Sequence, residues 1–365
     1  MKIAIEAQRI FRRKKHGMDF VALETIKELQ KIDRQNEYFI FVRPGEDRGV
    51  LKPSDNFHIV ELKCPSYPLW EQVALPLAVK KIKADFLHCT SNTAPLFCSI
   101  PLIITLHDII FLDKPKGVNT SVYQLFGRYY RKLIVPPAVR KSYKVITVSN
   151  YEAEKISRRL NLGRDKLEVI YNGVGEHFKS AVAKNGKYIL FFGNTDPKKN
   201  TERVLKAYSL YLGKSQFKLP LFVVDLKREH IVNLLKKSGS VDVLDNIYSP
   251  GYIDNSRLPA IYSEASIFLY PSLAESFGMP ILEAMACGTP VITSNLTAMP
   301  EIAGDAAIIV NPYDEIEIAN AILKIENDRE LKEKMEREGL LRASQFSWNN
   351  TALSLLNLYN NIMTD

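Results

Sequence analysis

The chain has 365 residues with ordinary apolar (46%) and charged (25%) fractions, enough for two domains with cores of their own and unlike a disordered or low-complexity protein. No apolar run reaches the roughly 18 residues of a membrane span. The start MKIAIEAQRI enters a strand pattern without a signal-peptide core, and Cys64, Cys89, Cys98 and Cys287 form no C-x-x-C pair, so a reduced cytoplasmic protein is expected rather than a disulfide framework or a zinc site. The formal charge of +8 is uneven, with 29 basic against 18 acidic residues over 1–172 and 20 against 23 over 173–365, so the two halves are expected to meet different partners.

Strand and helix patterns alternate from the N-terminus. Residues 2–7 read as a buried strand, a basic loop containing Gly17 follows, and 18–29 has helical spacing (Phe20, Leu23, Ile26, Leu29). Strands are expected at 38–42 and 58–62, a helix at 69–81, strands near 86–88 and 102–106, and a long helical region over 120–141 interrupted by Pro136-Pro137. The strand at 145–148 leads into a helix capped by Ser149 or Asn150. This rhythm implies a parallel, doubly wound sheet. The basic residues concentrate in Arg12-Arg13-Lys14-Lys15 and in GRYYRKLIVPPAVRKSYK, with Arg128, Arg131, Lys132, Arg140, Lys141 and Lys144. They read either as a solvated helix face or as a surface for an anionic membrane or lipid phosphate. Nucleic acid is not expected, because no stacking-aromatic module or recognition helix accompanies the charge.

After 169–173 the pattern weakens, and 175–186 is the linker candidate. A second cycle begins at 188–193, with further strands at 221–224, 247–248, 267–270 and 291–292. The last helix, 348–362, carries an apolar stripe of Leu353, Leu356, Tyr359 and Ile362. Two α/β halves without a sequence repeat, residues 1–175 and 176–347, are therefore expected to face each other across a cleft.

The densest stretch is 266–312. Its strand breaks at Pro271-Ser272 into a loop with Glu275, Phe277 and Gly278, followed by a helix with Pro280 near its start and Gly288 past its end. Open α/β sheets bind ligands at such strand ends, against the next helix N-terminus. Glu283 reads either as a surface acid satisfying the helix dipole, or as one of two acids, with Glu275, that face a hydroxyl-rich ligand beside the N–H groups of Phe277, Gly278 and Met279. Three further loops at strand ends have a bland reading and a functional one. GNTDPKKN (193–200) is a turn with two solvated lysines or an anion cradle. His107-Asp108 is a histidine beside a capping aspartate or a ligand contact. GYIDNSRL, with Tyr252, Ile253 and Leu258, is a plain strand end or a binding wall.

These segments resemble the donor-binding signature of the family 4 retaining glycosyltransferases, carried here by ESFGMPILE, EAMACGTPV and PEIAGDAA, by DPKKN and by the HD pair. The resemblance implies an α/β fold of the GT-B kind, two Rossmann-like doubly wound parallel-sheet domains, with 348–365 crossing back to the first. It implies that Glu283 binds the ribose hydroxyls of a nucleotide sugar, that Glu275 contacts the donor sugar, and that Lys199 and the helix start at Phe277, Gly278 and Met279 hold the diphosphate. Asn194 stands where the family has an arginine, so Lys198 or Arg203 is expected to compensate. Gly17 would let the backbone approach the donor, with Lys14, Lys15 and His16 beside the donor or an acidic acceptor. His107 would lie near the donor sugar without acting as a general base, and Tyr252, Ile253 and Leu258 would frame the base.

The catalytic set expected is Glu275, His107 and Lys199, with retention by a front-face route and closure of the two domains. No D-x-D motif occurs, so metal independence is expected, with no cofactor beyond the donor. The likeness is greatest to mannosyltransferases of bacterial surface-polysaccharide assembly, which favours GDP-mannose over UDP-sugars and a saccharide or lipid-linked acceptor. Its pocket is expected near 65–71 and 91–95, with peripheral contact to an anionic membrane. A nucleotide-sugar epimerase or hydrolase, and a non-catalytic nucleotide-sugar or polyanion binder, remain compatible with the same motifs.

Overall fold

The computed structural model describes residues 1–113, 122–179 and 186–362. The chain divides into two compact units, Met1–Asn172 with Trp348–Asp365, and Gly173–Ser347. Of the expected linker, 180–185 lie outside the described residues, as do the first two positions of the helical region expected from 120.

The first unit is built on seven parallel strands, Lys2–Glu6 (β1), Glu37–Val42 (β2), Phe57–Glu61 (β3), Phe86–Cys89 (β4), Leu102–Thr105 (β5), Lys144–Thr147 (β6) and Leu167–Val169 (β7), in the order β3-β2-β1-β4-β5-β6-β7. Ile3 pairs with Tyr38 on one side and Phe86 on the other. Both faces are covered, which is why the strands read as continuous apolar runs. Ile3 and Ile5 face Leu23, Ile26 and Leu29 of Gly17–Ile32 (α1) and Leu355 and Tyr359 of the C-terminal helix Trp348–Asn361. Ala4 faces the opposite core, with Trp70, Leu75 and Val79.

That second face is covered by three helices. The first (α2) begins at Tyr67–Leu69, passes through a π-turn at Trp70–Ala74 and continues as Leu75–Ile82. The N–H of Leu75 donates to the carbonyl of Trp70, five residues back. Pro76 has no N–H for the preceding turn and its ring would press on an ordinary helical carbonyl, so the wider turn relieves it. Val122–Lys141 (α3) runs unbroken through Pro136 and Pro137, where an interruption is expected from sequence. Lys132 and Leu133, whose carbonyls the prolines leave without intrahelical donors, lie on the exposed side, where water can replace them. Asn150–Leu160 (α4) is capped by Ser149, whose hydroxyl accepts the N–H of Glu152. In the C-terminal helix the buried stripe is Ala352, Leu355, Leu358, Tyr359 and Ile362, while Leu353 is exposed. Leu353 sits one residue from Ala352, a rotation of about 100° off the core face.

The second unit has six parallel strands, Tyr188–Phe192 (β8), Leu221–Val224 (β9), Ile247–Gly251 (β10), Ala265–Tyr270 (β11), Val291–Ser294 (β12) and Ala307–Val310 (β13), ordered β10-β9-β8-β11-β12-β13. Its helices are Thr201–Lys214 (α5), Arg228–Ser238 (α6), Leu258–Glu264 (α7), Met279–Ala286 (α8), Met299–Ala303 (α9), Glu315–Asn327 (α10) and Arg329–Ser344 (α11). Val204, Tyr208, Ile231 and Ile322 pack on one face of the sheet, and Tyr262, Ile281, Met285 and Met299 on the other.

In each sheet the strand order reverses beside the first strand, between β1 and β4 and between β8 and β11. The loops leaving those strands diverge there and open a crevice at the carboxyl edge.

Candidate functional site

The loop after β8 starts at Gly193. A Cβ at this position would lie 2.8 Å from Val223 and 3.0 Å from Leu226, so the chain can turn here only without a side chain. Asn194 Oδ1 accepts the Asp196 N–H at 2.9 Å, and Asp196 accepts the Lys198 N–H at 3.0 Å. The turn ends on Asn200, buried and at φ +61°, whose amide donates to the carbonyls of Pro271 (3.0 Å) and Pro312 (2.7 Å). Asn200 thereby ties the β8 loop to the β11 loop.

This arrangement aims Lys199 across the crevice. Its ammonium donates to Glu275 Oε1 at 2.7 Å and to the Tyr270 hydroxyl at 2.9 Å, and lies 4.8 Å from the Tyr270 ring centre. Asp225, after β9, has its carboxyl pushed up by burial and pulled back by the Lys199 charge. Glu275 is held from behind, since its N–H donates to the Thr297 hydroxyl at 3.1 Å. Arg203 is engaged elsewhere, on the Asn200 side chain (3.2 Å) and over the Tyr313 ring.

Gly278 precedes α8 at φ +99°, a backbone that favours glycine. One turn into α8, Glu283 accepts the Tyr262 hydroxyl at 2.9 Å. Burial raises its carboxyl to about 7, and the hydroxyl only partly offsets this. Glu283 is thus a half-buried acid rather than a fully solvated one. Phe277 is buried. Of the residues expected to frame a base, Tyr252 is 76% exposed, whereas Ile253 belongs to the core and Leu258 packs on it. Lys199, Glu275, Glu283 and the Gly278 turn thus share one sheet edge.

Tyr262, Tyr270, Asn200 and Asp225 were not singled out by the sequence. Tyr270 carried a signal as a hydroxyl closing an otherwise apolar strand, and Asn200 only as the last residue of DPKKN.

Gly17 and His107 belong to the first unit. Gly17 opens α1, and a Cβ added there would meet nothing within 4 Å, so the fold of this unit does not itself require glycine. His107, after β5, is buried. Its backbone N–H donates to Asn92 Oδ1 at 2.6 Å, and its Nε2 lies 2.9 Å from the Thr90 carbonyl, which fixes Nε2 as the protonated nitrogen. Burial lowers its pKa, so the ring is neutral. His107 and His88 line a cavity of about 40 Å³ beneath α1. Asp108 accepts the Ile110 N–H at 3.0 Å, as a turn cap. Lys15 is turned onto Asp47.

The family model described as Glycosyltransferase Family 4 matches residues 16–177, and that described as Glycosyl transferases group 1 matches residues 175–342. The O-antigen chain mannosyltransferase B of Escherichia coli is 32% identical over 273 residues, covering 70% of this chain and 69% of that protein. The O-antigen chain mannosyltransferase RfbU of Salmonella typhimurium is 28% identical over 260 residues, 71% of this chain and 69% of that one. The serotype-specific mannosyltransferase WbdA of Escherichia coli is 26% identical over 77% of this chain but only 37% of its own length. Among solved structures, sucrose-phosphate synthase from Thermosynechococcus elongatus superposes with a TM-score of 0.74 at 20% identity, over 100% and 99% of the two chains. HepE of Anabaena, in complex with UDP-glucose, gives 0.72 at 17% identity over 99% and 100%.

Proposed function

The chain belongs to the family 4 glycosyltransferases, and we propose that within them it is a retaining mannosyltransferase of surface-polysaccharide assembly, taking mannose from GDP-mannose without a metal. The observation that carries this reading is the Lys199–Glu275 pair at the β8/β11 crevice, with Glu283 one turn into the helix that follows. Transfer from a nucleotide sugar needs a cation for the departing diphosphate, tolerance of positive charge on the ring and a positioned acceptor.

Lys199 supplies the cation, and the N-terminus of α8 adds its dipole. When the diphosphate arrives, Lys199 turns from Glu275 towards it, leaving the Glu275 carboxylate to face the sugar and favour cationic character there. Glu283 accepts the ribose hydroxyls. Asn194, where the family has arginine, donates at most a neutral hydrogen bond, and Lys198 is the candidate to replace the missing charge. Gly17 leaves room for the donor, and His107 steadies the loop that meets its sugar. The mannosyl and O-antigen parts of the reading rest on relatives named for those activities.

A peripheral contact with an anionic membrane is part of the same proposal. No helix among the described residues is long and apolar enough to cross a membrane. In α2, however, Leu69, Val73 and Leu77 are exposed at helical spacing, as are Phe126, Tyr129 and Leu133 in α3. Lys80, Lys81, Lys132 and Arg140 are exposed on the same two helices. Apolar side chains interleaved with lysine and arginine suit the plane of a charged bilayer surface.

The test is calorimetric titration with GDP-mannose and UDP-sugars, followed by product analysis with and without a mannose-terminated acceptor. Binding and transfer with GDP-mannose, unaffected by a chelator, is the expected result. Release of free sugar alone would make the protein a hydrolase, an altered donor sugar would make it an epimerase, and binding without turnover would make it a non-catalytic binder.

A further inference from the structure

Tyr270 is the last residue of β11, and its backbone is fixed by the strand beside it. It pairs with Thr293 of β12, whose hydroxyl donates to the Tyr270 carbonyl at 2.9 Å. Its side chain is 2% exposed and stacks on Phe268, with ring centres 5.5 Å apart and planes 23° from parallel. Both rings belong to the core that holds Tyr262, Ile281 and Met285. A ring packed in this way has one position. Its hydroxyl is therefore delivered to one point at the carboxyl edge of the second sheet.

Three polar side chains meet at that point. The Lys199 ammonium donates to the Tyr270 hydroxyl at 2.9 Å and to Glu275 Oε1 at 2.7 Å. Burial first, then the Glu275 charge and a hydrogen bond to the Glu275 carboxylate, push the Tyr270 pKa well above its ordinary value, so the hydroxyl keeps its proton. Ser272, itself buried, donates to the same phenolic oxygen and draws the value part of the way back. A phenol has one proton to give and an oxygen that accepts. With Lys199 and Ser272 donating to the oxygen, the proton is left for the Glu275 carboxylate. Lysine, tyrosine and glutamate close a triangle in which only the tyrosine is anchored in the core.

The anchor matters when an anion draws Lys199 away. Glu275 keeps 14% of its side-chain surface, and a carboxylate so enclosed is costly once its cation has gone. Both long side chains are free to turn, whereas the Tyr270 hydroxyl is fixed and cannot follow the lysine. We propose that Tyr270 is a positioning residue of the transfer reaction, its hydroxyl holding the Glu275 carboxylate towards the sugar while Lys199 passes to the diphosphate. The inference rests on the glycosyltransferase reading, which supplies both the anion and the sugar. Only hydrogen bonds change, and no proton is transferred. Tyr270 accepts from the ammonium in the resting protein and donates to the carboxylate before and after the exchange. A carboxylate held in place before charge develops on the ring assists the rate rather than the binding of the donor.

The test compares the full-length parent with Tyr270→Phe, Glu275→Gln and the double variant. Turnover is followed as release of GDP from GDP-mannose, or of UDP from UDP-glucose, with a mannose-terminated acceptor present. Calorimetric titration reads the affinity for GDP and UDP, and melting temperature is recorded. Phenylalanine keeps the ring against Phe268 and removes one oxygen, so Tyr270→Phe should melt within about 2–4 °C of the parent. It should lower kcat about tenfold. Nucleotide affinity should be kept or rise by up to about threefold, because the lysine loses an acceptor that competes with the diphosphate. In the Glu275→Gln background the same change should lower kcat by less than about twofold more, since the charge it positions is already gone. An unchanged kcat in Tyr270→Phe would overturn the proposal. So would independent, multiplying losses in the double variant, nucleotide affinity falling as steeply as kcat, or a variant that melts more than about 8 °C lower, each the mark of a hydroxyl that supports the fold and not Glu275. Turnover by the parent with neither donor would sink the glycosyltransferase reading and this proposal with it.

Discussion

Lys199 and Glu275 stand 76 residues apart in the chain and meet at 2.7 Å, steadied by the Tyr270 hydroxyl. Lys199 and Glu275 keep only 20% and 14% of their side-chain surface, so the pair parts when an incoming anion takes the carboxylate's place on the lysine. Lys199→Ala is expected to lower transfer about tenfold or more, chiefly through weaker binding of the nucleotide diphosphate. Glu275→Gln is expected to lower kcat by a similar factor with nucleotide affinity nearly kept. Both variants should melt within about 2–4 °C of the parent, since the pair is not a core contact. A Glu275→Gln variant with unchanged turnover would remove Glu275 from the site.

Desolvation raises the carboxyl of half-buried Glu283 to about 7. The charged form is the better acceptor of ribose hydroxyls, so nucleotide affinity should rise as pH increases through about 7 and level off above it. In Glu283→Gln the profile should be flat and transfer should fall about tenfold or more. Calorimetric titrations of GDP between about pH 6 and 8 read this directly. A flat profile in the parent protein would argue against ribose contact.

Glu6 is also raised to about 7, chiefly by burial, with the Glu71 charge adding to the effect and Arg9 opposing it. A carboxyl raised above its ordinary value contributes stability that is present in acid and lost as pH climbs through the folded value. Between about pH 5 and 8 the parent should therefore lose on the order of 1–3 kcal/mol relative to Glu6→Gln. Urea midpoints of the two proteins at matched pH values measure the difference, and parallel curves would contradict it.

The C-terminal helix is pinned by a buried hydrogen bond, the Tyr359 hydroxyl to His88 Nδ1 at 2.6 Å, with His88 Nε2 on Thr105 at 2.7 Å. Burial holds the His88 pKa down to about 3, so its contribution runs opposite to that of Glu6. It is present above the ordinary histidine range and lost as pH falls towards 3. Tyr359→Phe should cost about 1–3 kcal/mol by stranding that nitrogen. Tyr359→Ala should cost about 3–5 kcal/mol by also emptying the space against Phe86. Chemical denaturation is the measure.

For the apolar faces of α2 and α3, Leu77→Ser combined with Leu133→Ser should sharply reduce co-sedimentation with vesicles containing phosphatidylglycerol, and salt should weaken what remains. Equal sedimentation of parent and variant would dismiss the membrane contact.

The doubly wound sheets were legible because the inner strands are buried on both faces and read as apolar runs. That Glu275 and Glu283 lie together was legible because they share one dense motif, and that Lys199 lies at a neighbouring strand end was legible from a second loop, 193–200. Their holders were not. Tyr262 and Asn200 act on segments far away in sequence, and nothing local marks a tyrosine hydroxyl as the partner of a glutamate 21 residues on. Pro136-Pro137 misled in the other direction. A double proline implies a break, but on the exposed side of α3 the orphaned carbonyls have water, and the helix continues.

The π-turn of α2 spans Trp70–Ala74 and carries Glu71 inward, while Val73 on the same turn is exposed. An α-helix becomes such a turn by gaining one residue. Deleting a single codon within Trp70–Ala74 would restore regular winding while leaving the helical turns on either side in register. Whether Glu71 is held inward to accept the hydroxyls of Tyr67 and Tyr130 can therefore change in one genetic step, with the strands beneath left as they are.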